Sequence, residues 1–167
     1  MGGPSREWMV PLLSGAAGFA ALATSLAFRD EIPMPRTAAR PIGFALVFVG
    51  TALFLWAGYH LESAMRGQIT PRLRRLVIGG PFRVIRHPTY AAMVIALFGV
   101  SISTRSAVGL AATLLIFLPV EIHRARLEER ALNEAFGEGW KAYAARTGFF
   151  FPRVRGGARA GNDASAV

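Results

Sequence analysis

The chain has 167 residues, of which 53% are hydrophobic and only 17% charged, with a net charge of +9 and a mean hydropathy of +0.38. That is the composition of a membrane protein of single-domain length, and the absence of cysteine excludes a disulfide framework, a thiolate metal site and a cysteine nucleophile. The arginines gather beside apolar runs, from Arg66 to Arg86 and after Arg124, a pattern of cytoplasmic flanks touching anionic lipid rather than nucleic acid.

In chain order, a nearly charge-free run predicts a first helix over about 8–28. It is too long for a signal peptide, has no basic cluster before it, and is read as a mature span. The loop RDEIPMPRTAARP carries three prolines, each opposing helix continuation, so a separate second helix is expected over about 42–61. Two shorter apolar runs follow, split by little more than Arg105 and Ser106, and predict a tight hairpin over 89–104 and 106–145. The last helix should run from lipid into the cytosol as an extension. The fold class is therefore all-α and multi-pass, with about four transmembrane helices in one domain, 1–155, and a disordered polar tail, 156–167. An even number of crossings places both termini and the 62–88 loop in the cytoplasm.

Two features carry chemistry. The first is the elbow GGPFRVIRHPTYAAM, residues 79–93, where Pro81 ends one segment and Pro88 suits the first turn of another. A helix start there presents unpaired backbone N–H groups and a positive dipole end, which welcome a carboxylate beside Arg86. The second is the last helix. Glu121, Arg124 and Glu128 stand at i, i+3 and i+7 on one face, while Glu129, Leu132, Phe136, Trp140 and Tyr143 form an amphipathic stripe. A carboxylate on such a stripe requires a cationic or hydroxyl partner.

Taken together, Leu76-Val77, Gly80-Pro81-Phe82, Arg86-His87-Pro88-Thr89-Tyr90, the hairpin, Arg124, Glu128-Glu129, Leu132, Phe136-Gly137, Trp140 and Tyr143 resemble the isoprenylcysteine carboxyl methyltransferase family and its phospholipid methyltransferase relatives. The likeness runs from about Leu76 to Pro152; the first two helices match only as generic spans. It implies an integral-membrane enzyme using S-adenosylmethionine, with the active site facing the cytoplasm. Leu76, Val77, Phe82, His87, Pro88 and Tyr90 would line the cofactor pocket, Glu128 would hold the ribose hydroxyls, and Arg124 would orient the substrate. Arg86, Glu129 and Glu121 would support them. A carboxylate acceptor needs positioning rather than a base, whereas an amine would call on Glu121 or His123. The acceptor is expected to be a lipophilic small molecule or prenylated substrate, reaching the site through an opening between the second helix and the hairpin. Two other readings remain: an NADPH-dependent membrane reductase of sterol-type double bonds, suggested by Arg72, Arg74 and Arg75, and a non-catalytic lipid-binding protein.

Overall fold

The structure is a computed structural model that describes residues 9–65 and 76–153, the side chains of 62–65 excepted. The expected tail at 156–167 and Arg72, Arg74 and Arg75 lie outside the described residues. Three helices, Met9–Ala27, Arg36–Leu61 and Ala107–Phe136, are long and apolar enough to cross a membrane, and Pro88–Thr104 is a shorter apolar helix beside them. The elements are α1 (Met9–Ala27), α2 (Arg36–Met65), a single 3₁₀ turn (Gly80–Arg83), α3 (Pro88–Thr104), α4 (Ala107–Ala112), a π-helical segment (Thr113–Phe117), α5 (Leu118–Phe136) and α6 (Glu138–Arg146).

The burial pattern inverts that of a water-soluble bundle. Phe19, Phe44, Phe48, Leu55 and Leu115 are exposed, while Ser14, Ala17, Ala21, Ser25, Ala57, Ser101, Ser106 and Thr113 are buried. Lipid solvates bulky apolar side chains as well as a protein core does, so small residues that let backbones approach, and hydroxyls that bond across helices, take the interior. Ser25 and Ser101 share a 2.9 Å bond between α1 and α3, and Ser106 caps α4 by accepting from the Gly109 amide at 2.9 Å. The most extensive helix contact is α2 on α3, where Gly43, Gly50 and Gly99 place backbone against backbone.

Two expectations change. The second helix begins at Arg36, with Pro41 inside it: in the second turn the ring costs one hydrogen bond, and five residues of good helical geometry precede it. The last helix is not continuous to 145. Gly137 takes φ 51°, ψ −120°, which ends α5 at Phe136 and starts α6 at Glu138 in a new direction. Ahead of that break, Pro119 sits near the start of α5 and the helix meets it with the wide π turn over Thr113–Phe117, which relieves the clash between a proline ring and the carbonyl four residues earlier.

At one end the α1–α2 loop is clasped to the α3–α4 turn. Arg105 has left-handed backbone (φ 56°); its Nε donates to Asp30 at 2.9 Å and its Nη1 to the Met34 carbonyl at 2.8 Å. The guanidinium groups of Arg105 and Arg36 hold the Asp30 carboxyl below its usual range. At the opposite end the start of α1, the end of α2, the elbow, α5 and α6 converge.

Candidate active site

The elbow is built by its prolines and by the segment after α6. Pro88 occupies the first turn of α3, with His87 at the N-cap. The amides of Arg86 and His87 donate to the carbonyls of Gly148 (2.8 Å) and Phe149 (3.3 Å), and the Gly148 amide returns to Val84 at 3.0 Å. Those two amides are thus committed to the chain itself and are not ligand donors, contrary to the expectation for the helix start. Thr89 and Tyr90, in the first turn, retain amides without intrahelical acceptors.

Arg86 is likewise spent on architecture. Its Nε donates to Glu129 Oε1 at 2.6 Å and its Nη1 to the carbonyls of Ala144 (2.9 Å) and Thr147 (2.7 Å), so one guanidinium ties the elbow to α5 and to the C-terminal end of α6. Glu129 therefore finds the cationic partner its place on the stripe demanded. Tyr143 donates from its hydroxyl to the Phe82 carbonyl at 2.8 Å and closes α6 on the elbow; burial pushes its phenol up to about 12, so it remains a donor.

His87 is 4% exposed, with Nε2–H donating to Glu129 Oε1 at 3.3 Å and Nδ1 3.9 Å from Glu128 Oε2; it stacks on Tyr90 and touches Phe149. Burial holds its pKa below the ordinary imidazole value, the neighbouring carboxylates opposing and Arg86 assisting. A base with a lowered folded pKa contributes stability that is complete above the unfolded value near 6.5 and is lost as pH falls through the folded value. The melting temperature of the detergent-solubilised protein is accordingly expected to drop on acidification below about pH 6.5, and His87→Gln to flatten that part of the profile. An unchanged profile in the variant would remove His87 as its cause.

A cavity of about 440 Å³ opens between these elements. Leu76, Val77, Phe82, Arg86, His87, Tyr90, Arg124 and Glu128 line it, together with Phe54, Leu61, Thr89, Met93, Leu132, Trp140 and Tyr143. Pro88 is buried behind the wall, Glu129 stands outside it holding Arg86, and Glu121 lies deeper, fully buried. Glu128 accepts a bond from the Tyr90 hydroxyl, and its other oxygen faces His87; its side chain is 47% exposed. Arg124 has Nε 3.8 Å from Glu128 and lies over the Tyr90 ring at 5.0 Å. The site thus joins flat apolar walls, one accessible carboxylate and one guanidinium.

Sequence reasoning missed Phe54 and Leu61, which α2 brings in through its glycine contact with α3, and Ser14 of α1, whose hydroxyl donates to Glu121 Oε1 and accepts from Arg124 Nη1 at 3.2 Å. A lone serine in an apolar span carries no sequence signal of such a role. An opening does lie between α2 and the hairpin: an apolar groove of about 660 Å³ lined by Leu46, Leu53, Trp56, Val94, Ile95 and Phe98 among others. α3 stands between this groove and Arg124, presenting Tyr90 and Met93 to the cavity and Ala91, Val94 and Ile95 to the groove.

Spanning helices that end around a cavity bounded by an elbow and a folded-back helix define a helical integral-membrane protein. Residues 39–139, more than half the chain, match the phospholipid methyltransferase family, and the chain belongs to it. It is also 31% identical over 113 residues to the cobalt-zinc-cadmium resistance protein CzcN of Cupriavidus metallidurans (strain ATCC 43123 / DSM 2839 / NBRC 102507 / CH34), an overlap covering 68% of this chain and 47% of that protein. The chain thus spans about half the length of this relative. No solved structure matches.

Proposed function

We propose that the protein is an S-adenosylmethionine-dependent methyltransferase acting on a lipophilic acceptor with a carboxylate or amine headgroup, such as an isoprenylcysteine-like amphiphile, with its site on the cytoplasmic side. The observation that carries this is Glu128, a half-exposed carboxylate fixed by Tyr90 at the wall of a 440 Å³ cavity, next to Arg124.

The residues present suit the cofactor. Glu128 is the acceptor for its ribose hydroxyls, Phe82, Leu132 and Trp140 are flat or apolar walls for adenine, and the Thr89 and Tyr90 amides are donors for its carboxylate. When bound, the cofactor supplies an electrophilic methyl group on a sulfonium. Arg124 orients the acceptor carboxylate with its forked N–H donors, and because that carboxylate is already ionised at neutral pH no general base is needed. The Tyr143 bond holds α6 against the elbow, so that Trp140 and Tyr143 form a wall of the cavity.

Calorimetric titration of the detergent-purified protein with S-adenosylmethionine and, separately, NADPH tests the reading. Micromolar binding of S-adenosylmethionine is expected. Binding of NADPH alone would move the protein to the reductases, and binding of neither would make it a non-catalytic lipid-binding protein.

A further inference from the structure

Glu121 is a fully buried carboxylate. It is 0% exposed within a membrane-spanning helix, and among the described residues its Oε2 is the one buried side-chain N or O atom without a hydrogen-bond partner. A buried carboxylate that leaves an oxygen unsatisfied lowers stability, so its retention calls for an account in terms of what the other oxygen does. That oxygen, Oε1, accepts from the Ser14 hydroxyl. A serine hydroxyl has one proton to give; once it is committed to Glu121, the hydroxyl can only accept, and the donor it faces is Arg124 Nη1 at 3.2 Å. Glu121 thereby sets the polarity of Ser14, and Ser14 joins Glu128 and the Tyr90 ring in holding the guanidinium. The bond comes from α1, which lies outside the segment that matches the family.

The place so fixed is a boundary. Arg124 and Glu128 line the 440 Å³ cavity on one side and, on the other, a second cavity of about 380 Å³ between α1 and α5, lined besides by apolar Val10, Pro11, Leu127 and Ala131 and by charged Arg130 and Glu134 at the α5 face. The larger groove between α2 and the hairpin has no charged residue in its lining and is cut off from Arg124 by α3. Of the spaces outside the cofactor cavity, the α1–α5 cavity is therefore the one that offers an amphiphile both an apolar wall and Arg124.

We propose that Ser14 and Glu121 are positioning residues that hold Arg124 at this shared wall, and that the acceptor binds in the cavity between α1 and α5 with its carboxylate on Arg124. The inference rests on the methyltransferase reading for the word acceptor, but not for the clamp. The test uses full-length protein labelled with [15N]arginine in nanodiscs, the Arg124 Nε–H resonance being identified by its loss in Arg124→Lys. In the wild type that resonance is expected to be shifted from the exposed-arginine position; Ser14→Ala and Glu121→Gln move it toward that position, and Ser14→Thr restores it. On the same samples, a fluorescent anionic amphiphile, 11-(dansylamino)undecanoic acid, is expected to bind about tenfold more weakly to Ser14→Ala than to wild type, as for loss of one bond to a charged group, while its primary amide shows no difference. An Arg124 resonance indifferent to both Ser14→Ala and Glu121→Gln in folded protein would overturn the clamp. Equal affinity of acid and amide for the wild type would overturn the acceptor site. Titration with S-adenosylmethionine separates the two levels: its binding should survive Ser14→Ala within about twofold, and its absence in the wild type would sink the methyltransferase reading while leaving the resonance result standing.

Discussion

Replacing Glu128 by alanine is expected to weaken S-adenosylmethionine binding by at least about a hundredfold, because two charge-assisted bonds to ribose hydroxyls, each worth about 1.5–3 kcal/mol, are lost together. The side chain is half-exposed, and its protein partners are the Tyr90 hydroxyl, the Arg124 guanidinium and the His87 ring. Its removal buries no unpaired charge, so the melting temperature should move little. Tyr90→Phe provides the graded comparison: it keeps the aromatic wall and the ring under Arg124 but frees the carboxylate from one restraint, and a loss of about tenfold or less is expected. Calorimetry on the three proteins decides the matter. Wild-type affinity in Glu128→Ala would mean that the carboxylate is not at the ribose, and the cofactor would have to be placed elsewhere in the cavity.

The largest effect on stability is expected at the α2–α3 contact. A Cβ added at Gly50 would lie 2.7 Å from the Ala92 carbonyl oxygen and 2.8 Å from the Ala96 amide nitrogen; at Gly99 it would lie 2.7 Å from the Gly43 carbonyl oxygen and 2.8 Å from the Val47 amide nitrogen. The obstacles are backbone, which cannot rotate aside, so the helices must separate. In lipid, where close packing rather than the hydrophobic effect drives helix association, Gly50→Ala or Gly99→Ala should each cost about 2–4 kcal/mol. Gly58→Ala is the control in the same helix: nothing lies within 4 Å of its Cβ, and alanine should add up to about 1 kcal/mol through helix propensity. Reversible denaturation from mixed micelles measures all three. Equal stabilities would show that the contact does not hold the helices together. Because α2 carries Phe54 and Leu61 into the cavity, the two destabilised variants should bind cofactor less well even where they remain folded.

Much of this architecture is legible in the chain because membranes impose simple rules. Long uncharged runs forecast the spans, and Pro81, Pro88 and the adjacent glycines forecast an elbow, since proline and glycine act on the backbone locally. The grouping of Glu128 with Arg124 follows from helical spacing alone. What escaped depends on distant partners or on how a local rule is relieved. Pro41 is accommodated early in α2, Pro119 by a π turn, and Gly137, inside the helix expected over 106–145, redirects the chain so that Trp140 and Tyr143 fold back on the elbow. The Arg86 and His87 amides looked available because their partners, Gly148 and Phe149, lie some sixty residues away in sequence. Ser14 could not be distinguished from any other small residue in an apolar helix.

The pairing of residues 85–87 with residues 148–149 has a consequence for how the molecule is made. A ribosome delivers the elbow well before the strap that completes it, so the spans can be inserted while the cavity still lacks one of its walls. During that interval the amides of Arg86 and His87 are solvated and Arg86 has no α6 carbonyls to grip. The elbow therefore reaches its final form only after Gly148 and Phe149 have been made, and a product released before Gly148 lacks the backbone bonds that hold Arg86 and His87 in place.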